Sequence, residues 1–344
     1  MIPPFRGHHS PALEPSGLRT PSPDPAAGAP TRVFNLPRPS RRGLKQSVER
    51  ALILTGSTVL ARRWSASATL VLAYHNIVPD GERGGADRSL HLPQRHFAEQ
   101  LELLARTHEV VALGEVLEGA RRRTARPRVV ITFDDGSAGA LSAGVTELRR
   151  FGFPATFFVT PGRLGRHAFW WDRLGTLGDG EVPASIRSHA LTSLRGEDEA
   201  VCTWAGARAD PAATVPENAR TATEAELTAA LTIPGMSVAA HTWSHPNLTA
   251  LDAATLQAEL ERPLAWLRAR WAAALPVVSF PYGLTSPAVS EAARRAGYVS
   301  GFLVTGGWLR GRRDAAPFDL PRVNVPAGLS RAGFELRTSG LVRR

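Results

Sequence analysis

The sequence predicts an α/β protein built on a distorted (β/α) barrel of about seven parallel strands, with a long insertion. Apolar runs of strand length alternate with helix-like stretches, and polar residues follow several of these runs at the same end. Runs that are apolar on both faces suit parallel strands buried under a layer of helices. The chain of 344 residues, 43% of them hydrophobic, is long enough to bury such a core.

Seven apolar runs predict the strands. They are residues 69–74, 128–133, 154–159, 236–240, 276–280, 298–304 and 321–325. Apolar residues at helical spacing occupy the intervals between them. Residues 252–273, for example, predict a long amphipathic helix with Asp252 as its N-cap.

Composition divides the chain into four parts. Residues 1–42 are rich in Pro, Ser, Gly and Arg without any helical or strand period, which predicts a disordered basic tail. An amphipathic helix is expected over residues 43–66, followed by the barrel domain at 67–330. The pattern loosens between about 163 and 234, where we expect a long insertion beside the site. Residues 331–344 are assigned to a basic C-terminal tail.

The net charge of +10 does not predict a nucleic-acid partner. The first fifty residues hold eight basic and three acidic residues, so much of the charge lies in the tail, and no nucleic-acid motif accompanies it. The amino terminus lacks the pattern of a signal peptide, so we expect a location in the cytoplasm or peripherally at the membrane. Residues 44–64 are expected to pack on the domain, with a peripheral membrane contact as the alternative.

Residue usage excludes several kinds of chemistry. Lys45 is the only lysine, which leaves the barrel domain without a residue for a Schiff base or a phosphate-binding Walker motif. Cys202 is the only cysteine, so an internal disulfide and a cysteine-based zinc cluster are both excluded. Any metal ion must therefore be held by histidine and carboxylate side chains.

Polar residues come directly after four of the predicted strands. His75 follows the first run, Asp134 and Asp135 follow the second, His241 follows the fourth, and Pro281-Tyr282-Gly283 follow the fifth. The active site of an α/β barrel lies at the carboxyl ends of its strands. We therefore expect these residues to share one site.

Two short motifs in this set suit a metal-assisted reaction. Asp134 and Asp135 stand side by side at a strand end, where diverging side chains allow one to hold a metal ion and the other to reach a water molecule. An ordinary Asp-Asp-Gly turn is the alternative. His241 and His245, four residues apart, are expected on one side of a helical turn. With Asp135 they form a three-ligand site compatible with zinc, and also with cobalt, nickel or iron.

The motifs TFDDG (132–136), HTWSH (241–245) and FPYG (280–283), in this order, resemble those of the NodB-homology polysaccharide deacetylases, carbohydrate esterase family four. The resemblance covers about residues 69–326. It implies hydrolysis of the amide, a carbon–nitrogen bond other than a peptide bond, in an N-acetylated glycan or glycoside. It also implies that Asp134 is the general base and that Asp135, His241 and His245 bind one divalent metal ion, with zinc expected first.

The chain departs from the family pattern at two places. Ser279 stands where the third motif usually begins with arginine, and the late Leu-x-His is missing. His75, in Leu-Ala-Tyr-His, resembles instead the early histidine of a permuted branch that includes poly-N-acetylglucosamine deacetylases, where it supplies the general acid. Arg322 resembles an arginine of the same branch, and the resemblance implies that it replaces the missing guanidinium beside Asp134.

Substrate contacts are expected from Pro281, Tyr282 and Trp171. The tryptophan lies in a Phe-Trp-Trp cluster that forms either a sugar-stacking wall or the packing of the insertion. Other reactions on the same fold stay open, namely O-acetyl ester and cyclic-amide hydrolysis. A non-catalytic glycan-binding protein is the alternative from another class, and the substrate is left open among a polymer, a lipid-linked sugar and a small glycoside.

Overall fold

The structure is a computed structural model that describes residues 41–119, 126–174, 180–206, 214–310 and 317–342. The fold presented here is that of the unit formed by residues 41–344. The predicted basic tail at residues 1–42 lies outside the described residues, apart from its last two positions.

Helices and strands alternate along the described chain. The helices are α1 (Arg41–Leu54), α2 (Ser57–Trp64), α3 (Gln94–Thr107), α4 (Leu113–Leu117), α5 (Val145–Phe151), α6 (Trp170–Leu174), α7 (Ala184–Thr192), α8 (Asp198–Ala205), α9 (Glu224–Leu231), α10 (Ala253–Arg268), α11 (Pro287–Arg295) and α12 (Arg331–Ser339). The strands are β1 (Thr69–Tyr74), β2 (Asn76–Val78), β3 (His91–Pro93), β4 (Glu109–Val110), β5 (Arg128–Phe133), β6 (Ala155–Val159), β7 (Met236–Ala240), β8 (Ala274–Ser279), β9 (Ser300–Phe302), β10 (Trp308–Leu309) and β11 (Val323–Asn324).

The central sheet has the strand order β10-β1-β5-β6-β7-β8-β9 and is parallel except for β10. Strand β11 pairs with β1 in parallel, while Leu320, just before it, bridges to Phe302 of β9. The last strand therefore connects the two sides of the curled sheet. This confirms the predicted barrel class, and each of the seven predicted runs contains a strand, although β9 and β11 are shorter than their apolar runs.

The two faces of the sheet are buried in different cores, which explains why the strand sequences are apolar throughout. One face packs under the helices, where Tyr74, Phe97, Phe133 and Phe157 form a chain of aromatic contacts. The other face forms a smaller cluster inside the curl. Its buried members include Val71, Val130, Phe158, Ala239, Val277 and Phe302.

The connection between β6 and β7 contains the expected insertion, but this insertion is shorter than the sequence suggests. Helices α6, α7 and α8 contribute to a separate apolar cluster around Trp170. Helix α9 instead packs against β7 and belongs to the barrel. It begins at the N-cap Thr223, whose hydroxyl accepts a hydrogen bond from the Glu226 N–H. The insertion therefore ends near residue 223 rather than 234.

The two ends of the described chain also differ from the sequence prediction. The single helix expected at 43–66 is broken by Gly56, whose left-handed φ of 73° separates α1 from α2. The basic tail expected at 331–344 contains α12, which begins at the N-cap Ser330 and buries Phe334 and Leu336. Two apolar positions among basic residues were too few to reveal this helix by composition.

A buried histidine joins α12 to the barrel. The Nε2 of His108, at the end of α3, donates a hydrogen bond of 2.8 Å to the Thr338 carbonyl. Burial of the ring lowers the pKa of His108 to about 4, since the imidazolium would lose its hydration. Protonation of this side chain therefore opposes the packing of α12.

We expect His108 to make the fold acid-sensitive. Its folded pKa lies below its unfolded value of 6.5, so the unfolded chain binds more protons between these limits, and stability falls as pH drops from 6.5 toward about 4. His108→Gln keeps a donor for Thr338 but cannot be protonated. The free energy of unfolding of the wild type should fall by up to about 3 kcal/mol more than that of His108→Gln across this window.

Urea unfolding of both proteins through the window measures this difference. If the free energy of unfolding fell equally in the two proteins, groups other than His108 would be responsible for the acid sensitivity.

Candidate active site

The polar residues that follow the strands meet in one cleft at the carboxyl edge of the curled sheet. The cleft has a volume of about 300 Å³, at the lower end of the size range of small-ligand sites. Its lining includes His75, Asp134, Asp135, Trp171, His241, His245 and Tyr282. Of the other predicted site residues, Pro281 is buried beside Tyr282, and Arg322 lies fully buried against Asp134.

Three side chains converge as a metal site requires. The Nε2 atoms of His241 and His245 lie 3.1 Å apart, and Asp135 Oδ1 lies 3.4 Å and 3.3 Å from them. Tetrahedral ligands at zinc–nitrogen bond lengths of about 2.0–2.1 Å are about 3.3 Å from one another. Both the donor types and their spacing therefore fit one divalent ion.

The His241–His245 segment reaches this geometry through a strained loop. Thr242 and His245 adopt left-handed φ angles of 64° and 69°. The prediction of a helical turn over this segment is therefore wrong. Asp135 is left-handed as well, with a φ of 70°. Such conformations persist only where the surroundings impose them, and they concentrate at functional sites.

Glu259 of α10 holds this loop in place. Its carboxylate accepts hydrogen bonds from the N–H groups of Trp243 and Ser244, each 2.9 Å long, and from the Ser244 hydroxyl at 2.6 Å. The Thr242 hydroxyl accepts the N–H of His245 at 3.0 Å. These bonds fix the backbone between the two histidines in the conformation that brings their rings together.

Hydrogen bonding and packing orient the two imidazoles. The Nδ1 of His241 donates to the Ser279 carbonyl at 2.8 Å, which leaves the Nε2 lone pair directed at the cluster. The ring of His245 packs between the rings of Trp171 and Tyr282, at centroid distances of 5.1 and 4.8 Å. One histidine is thus fixed by a hydrogen bond and the other by aromatic contacts.

Asp134 is held by a buried guanidinium. Arg322 donates two hydrogen bonds of 2.7 Å to the two carboxylate oxygens, a bidentate geometry. It also donates to the Ser279 hydroxyl at 2.6 Å and the Thr132 hydroxyl at 3.1 Å. The small side chain at position 279 therefore adds a partner to this network, and the guanidinium reaches it from the segment just before β11.

The charge of this pair keeps Asp134 ionised. Burial alone would raise the pKa of its carboxyl, but the adjacent Arg322 guanidinium and the charge of His241 lower it below its usual value. Burial likewise opposes ionisation of Asp135, but hydrogen bonds from His241 and His245 bring its pKa well below the ordinary range. Both carboxylates are therefore anionic at neutral pH.

His75 stands at the end of β1, half-buried in the wall of the cleft. Its backbone carbonyl accepts a hydrogen bond of 3.2 Å from the Ser137 hydroxyl, which ties the end of β1 to the segment after Asp135. A positive charge on His75 also contributes to the lowered pKa values of Asp134 and Asp135. The imidazole is thus close enough to the two carboxylates to influence them electrostatically.

The aromatic residues support the site as much as they line it. Trp171 is only 4% exposed, and Phe169 stacks on it at a centroid distance of 4.5 Å. This position agrees with the packing interpretation that the sequence left open. The Tyr282 hydroxyl accepts a hydrogen bond from Trp170 Nε1 at 3.1 Å, so the insertion is joined to the loop after β8.

Some residues of the site had no recognisable signal in the sequence. Glu259 lies within an ordinary amphipathic helix, and its role depends on where the loop of His241 passes. His91 and Asp172 form a buried pair with a separation of 2.7 Å, which brings β3 and α6 together, and both line a small cavity with Asp135. The only hint of this pair was the position of Asp172 directly after the Phe-Trp-Trp cluster.

Removing the guanidinium should destabilise the fold strongly. Arg322→Met leaves the Asp134 carboxylate buried without its partner, and we expect the free energy of unfolding to fall by about 3–5 kcal/mol in denaturant titrations. The double variant Arg322→Met with Asp134→Leu should recover much of this loss, because no charge is left buried. Equal losses in both variants would mean that packing, rather than charge, accounts for the effect.

Comparison with known proteins identifies the family of the chain. Residues 121–301, more than half of the chain, match the polysaccharide deacetylase family. This span contains both aspartates and both histidines of the cluster, whereas His75 precedes it and Arg322 follows it. No curated protein matches the chain.

Several solved structures share the fold at low sequence identity. IcaB from Ammonifex degensii is 17% identical with a TM-score of 0.55, and the match covers 80% of this chain and 98% of that one. The deacetylase PplD from Streptococcus pyogenes is 17% identical with a TM-score of 0.52, covering 77% and 96%. A de-N-acetylase from Aggregatibacter actinomycetemcomitans is 15% identical with a TM-score of 0.52, covering 78% and 99%. On the strength of the family match and the fold, this chain belongs to the polysaccharide deacetylase family.

Proposed function

We propose that the protein is a metal-dependent hydrolase that removes acetyl groups from an N-acetylated carbohydrate. The reaction breaks the amide carbon–nitrogen bond and yields acetate and an amino sugar. The observation that carries the proposal is the placement of an ionised, rigidly held Asp134 directly beside a three-ligand cluster in an open cleft. Such a combination provides both a base and a site for an electrophile.

Asp135, His241 and His245 would hold the metal ion. Zinc is the first candidate, although nitrogen and oxygen donors also accept cobalt, nickel or iron. When bound, the ion supplies a positive charge that polarises the acetamide carbonyl and makes water more acidic. These three side chains are buried, which limits exchange of the ion with solvent.

Asp134 is the general base of the proposed mechanism. Its carboxylate accepts a proton from the attacking water, and the Arg322 guanidinium keeps the carboxylate ionised and fixed in orientation. Because Arg322 is fully buried, water cannot compete for its hydrogen bonds to Asp134. The guanidinium therefore acts as a positioning group without contacting the substrate.

His75 is the general acid of the proposed mechanism. Its imidazolium donates a proton to the nitrogen of the breaking amide bond, so that the product leaves as a neutral amine. The side chain lies in the same cleft as Asp134 but comes from a different strand. The two residues directly follow the neighbouring strands β1 and β5, so the proposed acid and base would act on the same side of the cleft.

N-acetylated glycans are the first substrates to test, because one of the similar structures is described as a de-N-acetylase. We expect the protein with bound metal to release acetate from N-acetylglucosamine oligomers and not from acetylated xylan. Acetate can be quantified by an enzyme-coupled assay. The reverse preference would identify an O-acetyl esterase, and binding of the oligomers without any acetate release would identify a glycan-binding protein.

Loss of the proposed acid should slow the reaction without removing the metal. His75→Ala is expected to lower kcat by about two to four powers of ten, because an amine is a poor leaving group when unprotonated. His96→Ala serves as the control. This histidine is half-buried in α3, outside the cleft, and its variant should retain activity. The measurements are kcat and metal content. Near-normal turnover of His75→Ala with one metal ion per chain would contradict the acid assignment.

Separate variants should distinguish the base from the ligands. Asp134→Asn is expected to keep the metal but lose about 10²–10⁴-fold in kcat, whereas His245→Ala should lose the metal itself.

Chelation should abolish the activity of the wild type and lower its melting temperature, and added zinc should restore both. Full activity after verified metal removal would contradict the proposed chemistry.

A further inference from the structure

Helix α2 is inverted relative to an ordinary surface helix: polar side chains face the protein, and large apolar side chains face the solvent. Its buried residues are Thr58, Ala61 and Arg62. Val59, Leu60 and Trp64, by contrast, are 51%, 49% and 75% exposed. A surface helix normally turns its apolar stripe toward the core. The orientation of α2 therefore leaves three large hydrophobic side chains in contact with solvent.

Specific polar contacts hold α2 in this orientation. The Arg62 guanidinium lies 3.1 Å from the Glu335 carboxylate of α12 and donates to the Thr58 hydroxyl at 3.2 Å. The same hydroxyl donates to Glu335 at 3.3 Å. This ion pair is partly buried, and such pairs contribute little net stability but can specify one arrangement over another. Here the arrangement that they specify is the one with the apolar face outward.

The exposed large apolar side chains are concentrated on α1 and α2. Among the described residues, the exposed large hydrophobics are Val48, Leu54, Val59, Leu60, Trp64, Leu284, Val299, Leu341 and Val342. Five of these nine belong to α1 and α2. Leu54, 87% exposed, is joined to α2 by a tight turn at Gly56. We call Leu54, Val59, Leu60 and Trp64 the α2 patch.

The charges around the α2 patch are basic. Arg50 and Arg63 are exposed beside the apolar residues. Glu49 is the only acidic residue between positions 41 and 64; it is buried and accepts a hydrogen bond from the Ser330 hydroxyl. On the neighbouring α12, Glu335 is paired with Arg62, and Arg331 is exposed. The patch therefore combines apolar side chains with a rim of guanidinium groups.

We propose that the α2 patch docks the protein peripherally on an anionic lipid bilayer. Apolar side chains with tryptophan, bordered by arginine, match the composition of helices that lie in the membrane interface. The side chains project from the helix surface instead of lining a groove, and a fluid bilayer accepts them without a complementary pocket. None of the described helices is long and apolar enough to cross the bilayer.

This docking goes beyond the proposed hydrolysis and does not depend on it. It would concentrate the enzyme where glycans are presented at a membrane surface. Residues of the cleft take no part in it, so binding and catalysis can be tested separately.

Vesicle flotation with the full chain tests the docking. We expect binding to phosphatidylcholine vesicles that contain phosphatidylglycerol, weaker binding to phosphatidylcholine alone, and a decline with added salt. The triple variant Val59→Ser, Leu60→Ser, Trp64→Ser should bind about tenfold more weakly or worse, because the apolar contact is lost. Val299→Ser, an equally exposed valine outside the patch, is the matched control and should bind like the wild type.

Three outcomes would overturn the docking. These are no binding of the wild type to anionic vesicles, equal binding of the triple variant, or a wild-type dimer in light scattering that the triple variant converts to a monomer. The last result would identify a second copy of the chain as the occupant of the patch. Acetate release from a soluble substrate should be the same in the triple variant and the wild type, which also shows that the variant is folded.

Discussion

The Asp134 carboxylate is almost completely removed from water, and an ion in such a place remains charged only if a partner replaces its hydration. Arg322 is that partner, and it comes from the segment that leads into β11. The pair therefore connects the second major strand of the sheet to the last one. The ion pair keeps Asp134 ionised, and the Asp134 carboxylate in turn compensates the charge of the fully buried Arg322.

The Asp135–His241–His245 cluster depends on a different kind of constraint, namely backbone conformations that the chain would not adopt unaided. Asp135, Thr242 and His245 all have positive φ. Glu259 compensates by accepting three hydrogen bonds from the loop between the histidines. The two histidines are thus fixed by helix α10, which contributes no member of the cluster itself. A rigid frame of this kind sets the spacing of the donor atoms in advance, so that little reorganisation is needed when an ion binds.

Much of the fold could be predicted because its strands are apolar on both faces and end in polar residues. That pattern identified the barrel class and placed His75, Asp134, Asp135, His241 and Tyr282 at one edge. Contacts between distant segments are harder to predict. Glu259 and Asp172 have ordinary sequence surroundings, and they gain a role only from the path of a loop. The sequence does not reveal helix α12, because a segment with only two buried apolar positions among arginines resembles a solvated tail. The break at Gly56 shows that a single left-handed residue can divide an otherwise continuous amphipathic pattern.

The pairing of β11 with β1 has a consequence for how the protein is made. Asp134 and its guanidinium partner are separated by 188 positions along the chain, whereas the Asp135–His241–His245 cluster and the groups that orient it, up to Tyr282, all precede Arg322. A growing chain can thus assemble this cluster while the neighbouring Asp134 carboxylate still lacks its counter-charge. In the proposed mechanism, an ionised and correctly oriented base exists only once the segment with Arg322 has folded, so incomplete chains are expected to be inactive even where the cluster has formed.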